Sequence, residues 1–403
     1  MNLFIMIRSA FLIVIIVCGS VVQLPLKAQP SGNQINERVN TVNTAVPFFR
    51  ITPDSRAGAM GDAGIAVSPD ANANFHNPSK LTFAEKDVGI SMTYTPWLRA
   101  LVNDIYLGYL SGHYRVDELQ SIGISMRYFS LGNIQFTDRN GENIGESNPN
   151  EFALDASYSR KLSDNFSTGL TLRFIYSNLA AGQQVNGVSV KPATAASADI
   201  SFYYTKDLEI SGTPANFSAG LNISNLGNKI TYTQSAIKDF LPANMGLGTN
   251  LKVDVDDYNS LSFAFDVNKL LAPTPTEKLS SDSTTLAYRK KSVPSGVLGS
   301  FSDAPGGFRE ELREFNISIG GEYWYNDQFA VRAGYFWEHA TKGNRKFFTA
   351  GLGVKYSVFG LDFAYIIPTS SQRHPLDNVM RFTLKFDFEA FQSQNQGGGD
   401  NAN

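Results

Sequence analysis

Four histidines are the first candidates for chemistry in this chain. His76, His113, His339 and His374 stand far apart, and no HxxxH or HxxE spacing sets two ligands on one helical turn, so zinc has no ready site. Asp254, Asp256 and Asp257 carry the oxygen donors that calcium takes. Their run lacks the length and spacing of a calcium loop, however, and reads as a solvated turn. Asp138-Arg139-Asn140-Gly141-Glu142 reads the same way. No nucleophile is spaced with a base in any motif that would activate it. We therefore expect no catalytic residue, no metal, no cofactor and no enzyme.

The only cysteine, Cys18, directly follows an apolar run, Ala10 to Val17, within a segment that starts with Arg8 and ends at Leu26-Lys27-Ala28-Gln29. Basic start, apolar core and small residue at the end are the parts of a secretory signal, expected here to be cut after Ala28. The run is shorter than the roughly 20 residues of a helical membrane span. The residues before Cys18, Ile15-Ile16-Val17, lack the small residue a lipoprotein site wants. After cutting, no cysteine remains, which removes disulfides and thiol chemistry together. The net charge of -3, without a basic run, excludes a nucleic-acid partner.

The elements beyond the signal read as strands. In Arg381-Phe382-Thr383-Leu384-Lys385-Phe386-Asp387-Phe388, the apolar residues fall on one face of an extended chain and the polar ones on the other. The same period of two runs through Ile122-Tyr128, Leu170-Tyr176, Phe217-Ile223, Leu261-Val267, Phe315-Ile319, Phe329-Trp337, Leu352-Val358 and Leu361-Ile367; Ile175 is an exception, apolar on a polar face. Counting such runs gives about fourteen strands of roughly 10 residues, the length of a tilted transmembrane strand. Gly, Ser, Thr and Asn dominate the non-apolar face, as a crowded wet interior requires. A soluble sheet would place many Lys and Glu there. Tight turns at Val116-Glu118, Ser163-Asn165, Asp256-Asp257 and Asn326-Asp327 alternate with long connections at Asn133-Asn150, Leu179-Ala193, Gly227-Leu241 and Leu270-Arg313. Outer-membrane barrels have this asymmetry, with short turns in the periplasm. Both chain ends are then expected on the periplasmic side.

The expected fold is an all-β, transmembrane antiparallel β-barrel of about 14 strands with an N-terminal plug segment. Its parts are a signal peptide at 1–28, a periplasmic lead-in and lumenal plug at 29–87, the barrel at 88–389 and a disordered tail at 390–403. The plug is read from the small residues of Gly58-Ala59-Met60-Gly61-Asp62-Ala63-Gly64 and the turn at Asn77-Pro78; a Gly/Ala-rich linker is the alternative. In the longest connection, Val297, Leu298, Phe301, Asp303, Pro305, Gly306, Gly307, Phe308 and Arg309 form a candidate partner-binding loop, since apolar groups outside a membrane want a partner or a packing site. Folding back over the barrel's own mouth is the other use for them.

At Gly58-Gly64 with Asn77-Pro78-Ser79-Lys80-Leu81, and at Phe301-Ser302-Asp303-Ala304-Pro305-Gly306-Gly307-Phe308-Arg309-Glu310-Glu311-Leu312, the chain resembles the PorV-like outer-membrane proteins of the type IX secretion system, within the larger FadL-like barrel family. The resemblance implies a fourteen-stranded barrel in the outer membrane, in contact with its lipid. Its implied partners are the secretion translocon pore, the C-terminal signal domains of cargo, and the attachment complex with PorU. The implied function is a shuttle that takes cargo from the pore to that complex; the alternative is FadL-like uptake of fatty acids or other hydrophobic solutes. A purely structural barrel is a third reading. Ser79 after Asn77-Pro78 is a mild departure, and Arg127, Arg173 and Lys385 are lumen charges without an evident carboxylate clamp.

Overall fold

The computed structural model describes residues 39–97, 104–137, 140–179, 184–185, 188–233, 238–275, 287–369 and 379–389. The expected signal with Cys18, residues 29–38, Asp138-Arg139, His374, much of the polar half of the longest connection and the C-terminal tail lie outside them.

Fourteen strands close into one antiparallel ring. They are β1 (Val88–Pro96), β2 (Ile105–Arg115), β3 (Gln120–Leu131), β4 (Asn150–Ser163), β5 (Phe166–Asn178), β6 (Ala193–Ile210), β7 (Thr213–Gly227), β8 (Asn244–Asp256), β9 (Asn259–Leu270), β10 (Phe315–Tyr325), β11 (Phe329–Trp337), β12 (Lys346–Tyr356), β13 (Phe359–Pro368) and β14 (Met380–Phe388). Closure is made by β1 on β14, in register from Val88↔Phe388 to Tyr94↔Phe382. Each neighbour supplies the backbone partners that hydrocarbon cannot, which is why the ring has no edge.

Side-chain alternation follows the sequence. On β14, Phe382 faces outward and Arg381, Thr383 and Lys385 are buried inside. On β9, Phe263 and Phe265 are exposed while Ser262, Ala264 and Asp266 are buried. The outward face is apolar and the inward face is small or polar, the pattern of a wall with lipid outside. No helix among the described residues is long and apolar enough to cross a membrane.

Short turns at 116–119, 164–165, 211–212, 257–258, 326–328 and 357–358 share one end of the ring, and the long connections share the other. Ser211 and Gly212 both have positive φ, 52° and 84°, the backbone twist that a two-residue hairpin needs. The chain ends themselves lie outside the described residues; the last strand finishes at the short-turn end, where Phe388 pairs with Val88. At the other end of the sequence, Asn40 N–H donates to Thr341 O at 2.9 Å, in the connection after β11. The stretch read as a periplasmic lead-in therefore reaches the long-connection mouth from Val39 onward. Its first apolar seats, Val46, Phe48 and Phe49, are there, and the chain then descends until Pro78–Phe83 bonds Ser121, Ser159 and Ser167 beside the short turns.

Candidate functional site

Between those two ends, residues 39–84 run inside the ring. Two short helices, α1 (Ser55–Gly58) and α2 (Ala73–His76), and the 3₁₀ turn at Pro78–Phe83 are almost wholly buried, and the 3₁₀ turn at Pro47–Arg50 buries Phe48 and Phe49. Their backbone groups are satisfied by the polar face of the wall. Ser55 N–H donates to Thr383 Oγ1 (2.9 Å), Gly61 N–H to Thr349 Oγ1 (2.8 Å), and Gly64 and Ile65 N–H to Asp266 Oδ2 (2.7 and 2.9 Å). Ser159 Oγ donates to Pro78 O (2.8 Å), Ser167 Oγ to Ser79 O (2.7 Å) and Asn222 Nδ2 to His76 O (2.9 Å). These donors and acceptors come from strands on all sides of the ring, and they explain why Ser, Thr and Asn crowd the inward face: irregular backbone at membrane depth must be paired by protein.

Small residues set the fit. A Cβ built on Gly334 of β11 would stand 2.1 Å from Gly61 N, and one on Gly320 of β10 would stand 2.5 Å from Met60 Cβ. Wall and inner segment touch backbone to backbone at that point.

Asn77 and Pro78 lie in this contact. Asn77 Nδ2 donates to Phe202 O (3.0 Å) and Ile65 O (3.3 Å), and Asn77 Oδ1 accepts from Ser79 N–H (3.2 Å) and from the Ser79 hydroxyl. Pro78 opens the 3₁₀ turn, where a missing N–H costs nothing. The backbone N–H of residue 79 also reaches Ser201 Oγ at 3.2 Å, while the Ser79 hydroxyl is spent on Asn77 Oδ1.

Two ion ladders flank the inner segment. Arg173 Nε bonds Asp155 Oδ1 at 2.6 Å and its Nη2 bonds Asp199 Oδ2 at 2.8 Å, with Arg127 3.5 Å from the same Asp155. In the second, Glu322 takes Arg56 (2.7 Å) and Arg332 (2.6 Å), and Asp362 takes Arg332 (2.7 Å) and Lys385 (2.6 Å). Arg127, Arg173 and Lys385 are thus occupied structurally. The partners were missed in the sequence, although a signal existed: Asp155↔Arg173 and Glu322↔Arg332 are directly opposed on neighbouring strands, on the polar phase of each.

Above the ladders the lumen turns apolar. Val46, Phe48 and Phe49 pack with Leu107, Phe129, Ala153, Ile175, Ile230 and Leu241. The Arg127 guanidinium lies 4.2 Å from the Phe49 ring centre, a cation–π contact. Arg50 (3.1 Å) and Arg345 (2.8 Å) both bind Glu338 beside this cluster. Burial alone would push the Glu338 carboxyl up; hydrogen bonds from Arg345 and the charges of Arg345 and Arg50 outweigh it and hold it below the usual glutamate range. Beneath Phe49 a cavity of about 120 Å³ remains, walled by Arg127, Arg173, Asp199, Asn225 and Asp266. At the short-turn end a cavity of about 570 Å³ is walled by Arg56, Asp70, Lys86, Glu322, Lys385 and Asp387.

The candidate loop sits far from Asn77-Pro78, at the long-connection mouth. It carries α3 (Ala287–Lys290), α4 (Val293–Gly299) and α5 (Phe308–Leu312). Its carboxylates tie it down: Glu314 and Glu311 bind Lys269 (2.5 and 3.1 Å), Glu310 and Glu314 bind Lys342 (2.6 and 2.9 Å), and Asn40 Nδ2 donates to Glu310 Oε1 (3.0 Å). Asp303 binds Lys291 at 3.0 Å. The loop does fold onto its own mouth, yet its apolar side is left out. Leu298 is 74% exposed, Phe301 42% and Phe308 76%; Pro305, Gly306, Gly307 and Arg309 are exposed too, whereas Val297 is half-buried. Gly307 has φ 69° and starts α5, and Gly306 N–H donates to Glu310 Oε2 at 2.7 Å, so the tip is fixed.

The family model for type IX secretion system protein PorV matches residues 33–277. The chain belongs to that family. The match ends before Phe301–Leu312, so the more specific motif of the sequence resemblance lies beyond it. Among solved structures, a mutant of the monoaromatic hydrocarbon channel TodX is similar at 12% identity, with 83% of this chain and 99% of that one covered and a TM-score of 0.50. The toluene transporter TodX of P. putida (12%, 84% and 99%, 0.49) and the toluene transporter TbuX of Ralstonia pickettii (12%, 84% and 98%, 0.47) are also similar. At this identity the likeness concerns the fold, a FadL-like barrel. No curated protein matches the chain by sequence. Family and fold together put the protein in the outer membrane, in type IX secretion.

Proposed function

We propose that this barrel is a carrier of the type IX secretion system. It takes the C-terminal signal domain of an exported protein from the secretion translocon pore at its long-connection mouth, and hands the cargo to the attachment complex with PorU. The observation that carries this reading is the lumen, filled by the chain's own residues 39–84 and bonded to the wall on all sides. With the bore occupied, the surface left for work is the mouth. There the tip Pro305-Gly306-Gly307-Phe308-Arg309 projects from a loop pinned by buried ion pairs, and a rigid, exposed aromatic is the usual anchor of a protein contact. The role needs binding and no bond chemistry.

Uptake of a hydrophobic solute would need an apolar path from mouth to periplasm. The ladders set charged groups across that path, Arg173 with Asp155 and Asp199 among them, and the 120 Å³ cavity below Phe49 is of mixed lining, which favours the carrier. In the test, Phe308→Asp leaves the barrel assembled in the outer membrane and weakens co-purification of a cargo signal domain about thirtyfold, the loss of a hot spot worth about 2 kcal/mol. Undiminished capture by that variant would overturn the assignment of the tip.

A further inference from the structure

A lysine stands where lipid is expected. On β9 the residues Leu261, Phe263, Phe265 and Val267 alternate with the inward Ser262, Ala264, Asp266 and Asn268, so Lys269 falls on the outward phase. Its side chain is nevertheless almost wholly buried, because the long loop comes down over it. Glu311 and Glu314 hold its ammonium at 3.1 and 2.5 Å, and the Phe301 and Phe315 ring centres lie 5.9 and 5.4 Å from it. A bare lysine near the wall's edge would hydrate the belt; covered and neutralised, it becomes the underside of an apolar surface.

That surface is continuous with the wall below. Lys269 pairs with Phe315, and one outward rung down Val267 pairs with Ile317, which pairs with Trp337. On the next outward rung, Phe265, Ile319, Tyr335 and Phe348 stand side by side. Aromatic residues at this level mark the outer interface of a barrel. Phe301 is therefore about two rungs above the girdle, on its outer side. Leu298, three residues before it, shares the outer side of α4, whose inner side buries Gly296 against Phe240. Leu312 follows Glu311 at the same spot and is 52% exposed.

We propose that Leu298, Phe301 and Leu312 rest in the headgroup region of the outer leaflet, so that the loop is moored to lipid along β9 and β10. The occupant is lipid because the patch extends a surface that lipid already covers. Lys269 and its two glutamates act as the hinge plate under it, holding the apolar side toward the membrane.

The test uses the full chain in phosphatidylcholine vesicles, with F301W and L312W made singly and the parent's emission from Trp97, Trp324 and Trp337 subtracted. The added emission is expected to be lost with acyl chains brominated near the headgroup and kept with aqueous iodide. Quenching by iodide and not by brominated lipid would overturn the proposal, placing the loop in water. Protection from both quenchers, together with a doubled particle mass, would overturn it in favour of a second copy of the chain. Heat-modifiable migration on gels confirms assembly, and L312W carries the test should F301W fail to assemble.

Discussion

Glu338 takes both arginines that brace the inner segment at the mouth, Arg50 and Arg345. Its acidity is held below the usual glutamate range, so its contribution to stability is complete above that range and is lost as pH falls through the lowered value. Protection of residues 45–51 against hydrogen exchange is thus expected to be lost as pH falls below the usual glutamate range, and Glu338→Gln to show the weaker protection already at neutral pH. Unchanged exchange in that variant would remove Glu338 from the brace. Gly334→Ala is a steric counterpart: the new methyl meets the Gly61 backbone, and overpacking there costs about 1–3 kcal/mol, read as easier proteolysis of the inner segment. Some of this was visible in the sequence. Ile175 breaks its strand's alternation because it faces inward and seats Phe48 and Phe49. Phe129 and Leu107 carry the same signal at the mouth ends of their strands, where inward apolar residues mean a greasy partner inside the lumen. Which partner it was could not be read, since Phe48 and Phe49 lie in a stretch without period.

Among the elements, the strands were legible and the inner segment was legible only in part. Period two survives in the wall because lipid and lumen impose opposite demands on successive residues, and turn chemistry at Asn326-Asp327 and Ser163-Asn165 fixed the hairpins. The course of residues 39–84 obeys no period. Its direction is set by long-range pairs, such as Asn40 with Thr341 and Ser55 with Thr383, which a linear reading does not order. The ladders follow the same logic. Glu322 serves Arg56 from the inner segment and Arg332 from β11, so Glu322→Gln strips the counter-charge from two buried guanidinium groups. Breaking a buried pair costs about 3–5 kcal/mol, and the expected result is release of the inner segment before the barrel unfolds, seen as early protease cutting near Arg56 on heating. Simultaneous loss of segment and barrel would show that they form one unit.

For the whole molecule, the wall turns apolar residues to lipid and binds its own N-terminal segment with the polar ones; in the proposed function the long-connection mouth is the surface that meets partners. Membership of the PorV family agrees with a role that asks for a stable platform in the outer membrane. The most direct check of this arrangement is electrical. In planar bilayers the full chain is expected to pass no ohmic current beyond small, brief events, and a variant lacking residues 52–84 to conduct in large, steady steps. Large, steady steps from the full chain would contradict a lumen closed by its own sequence.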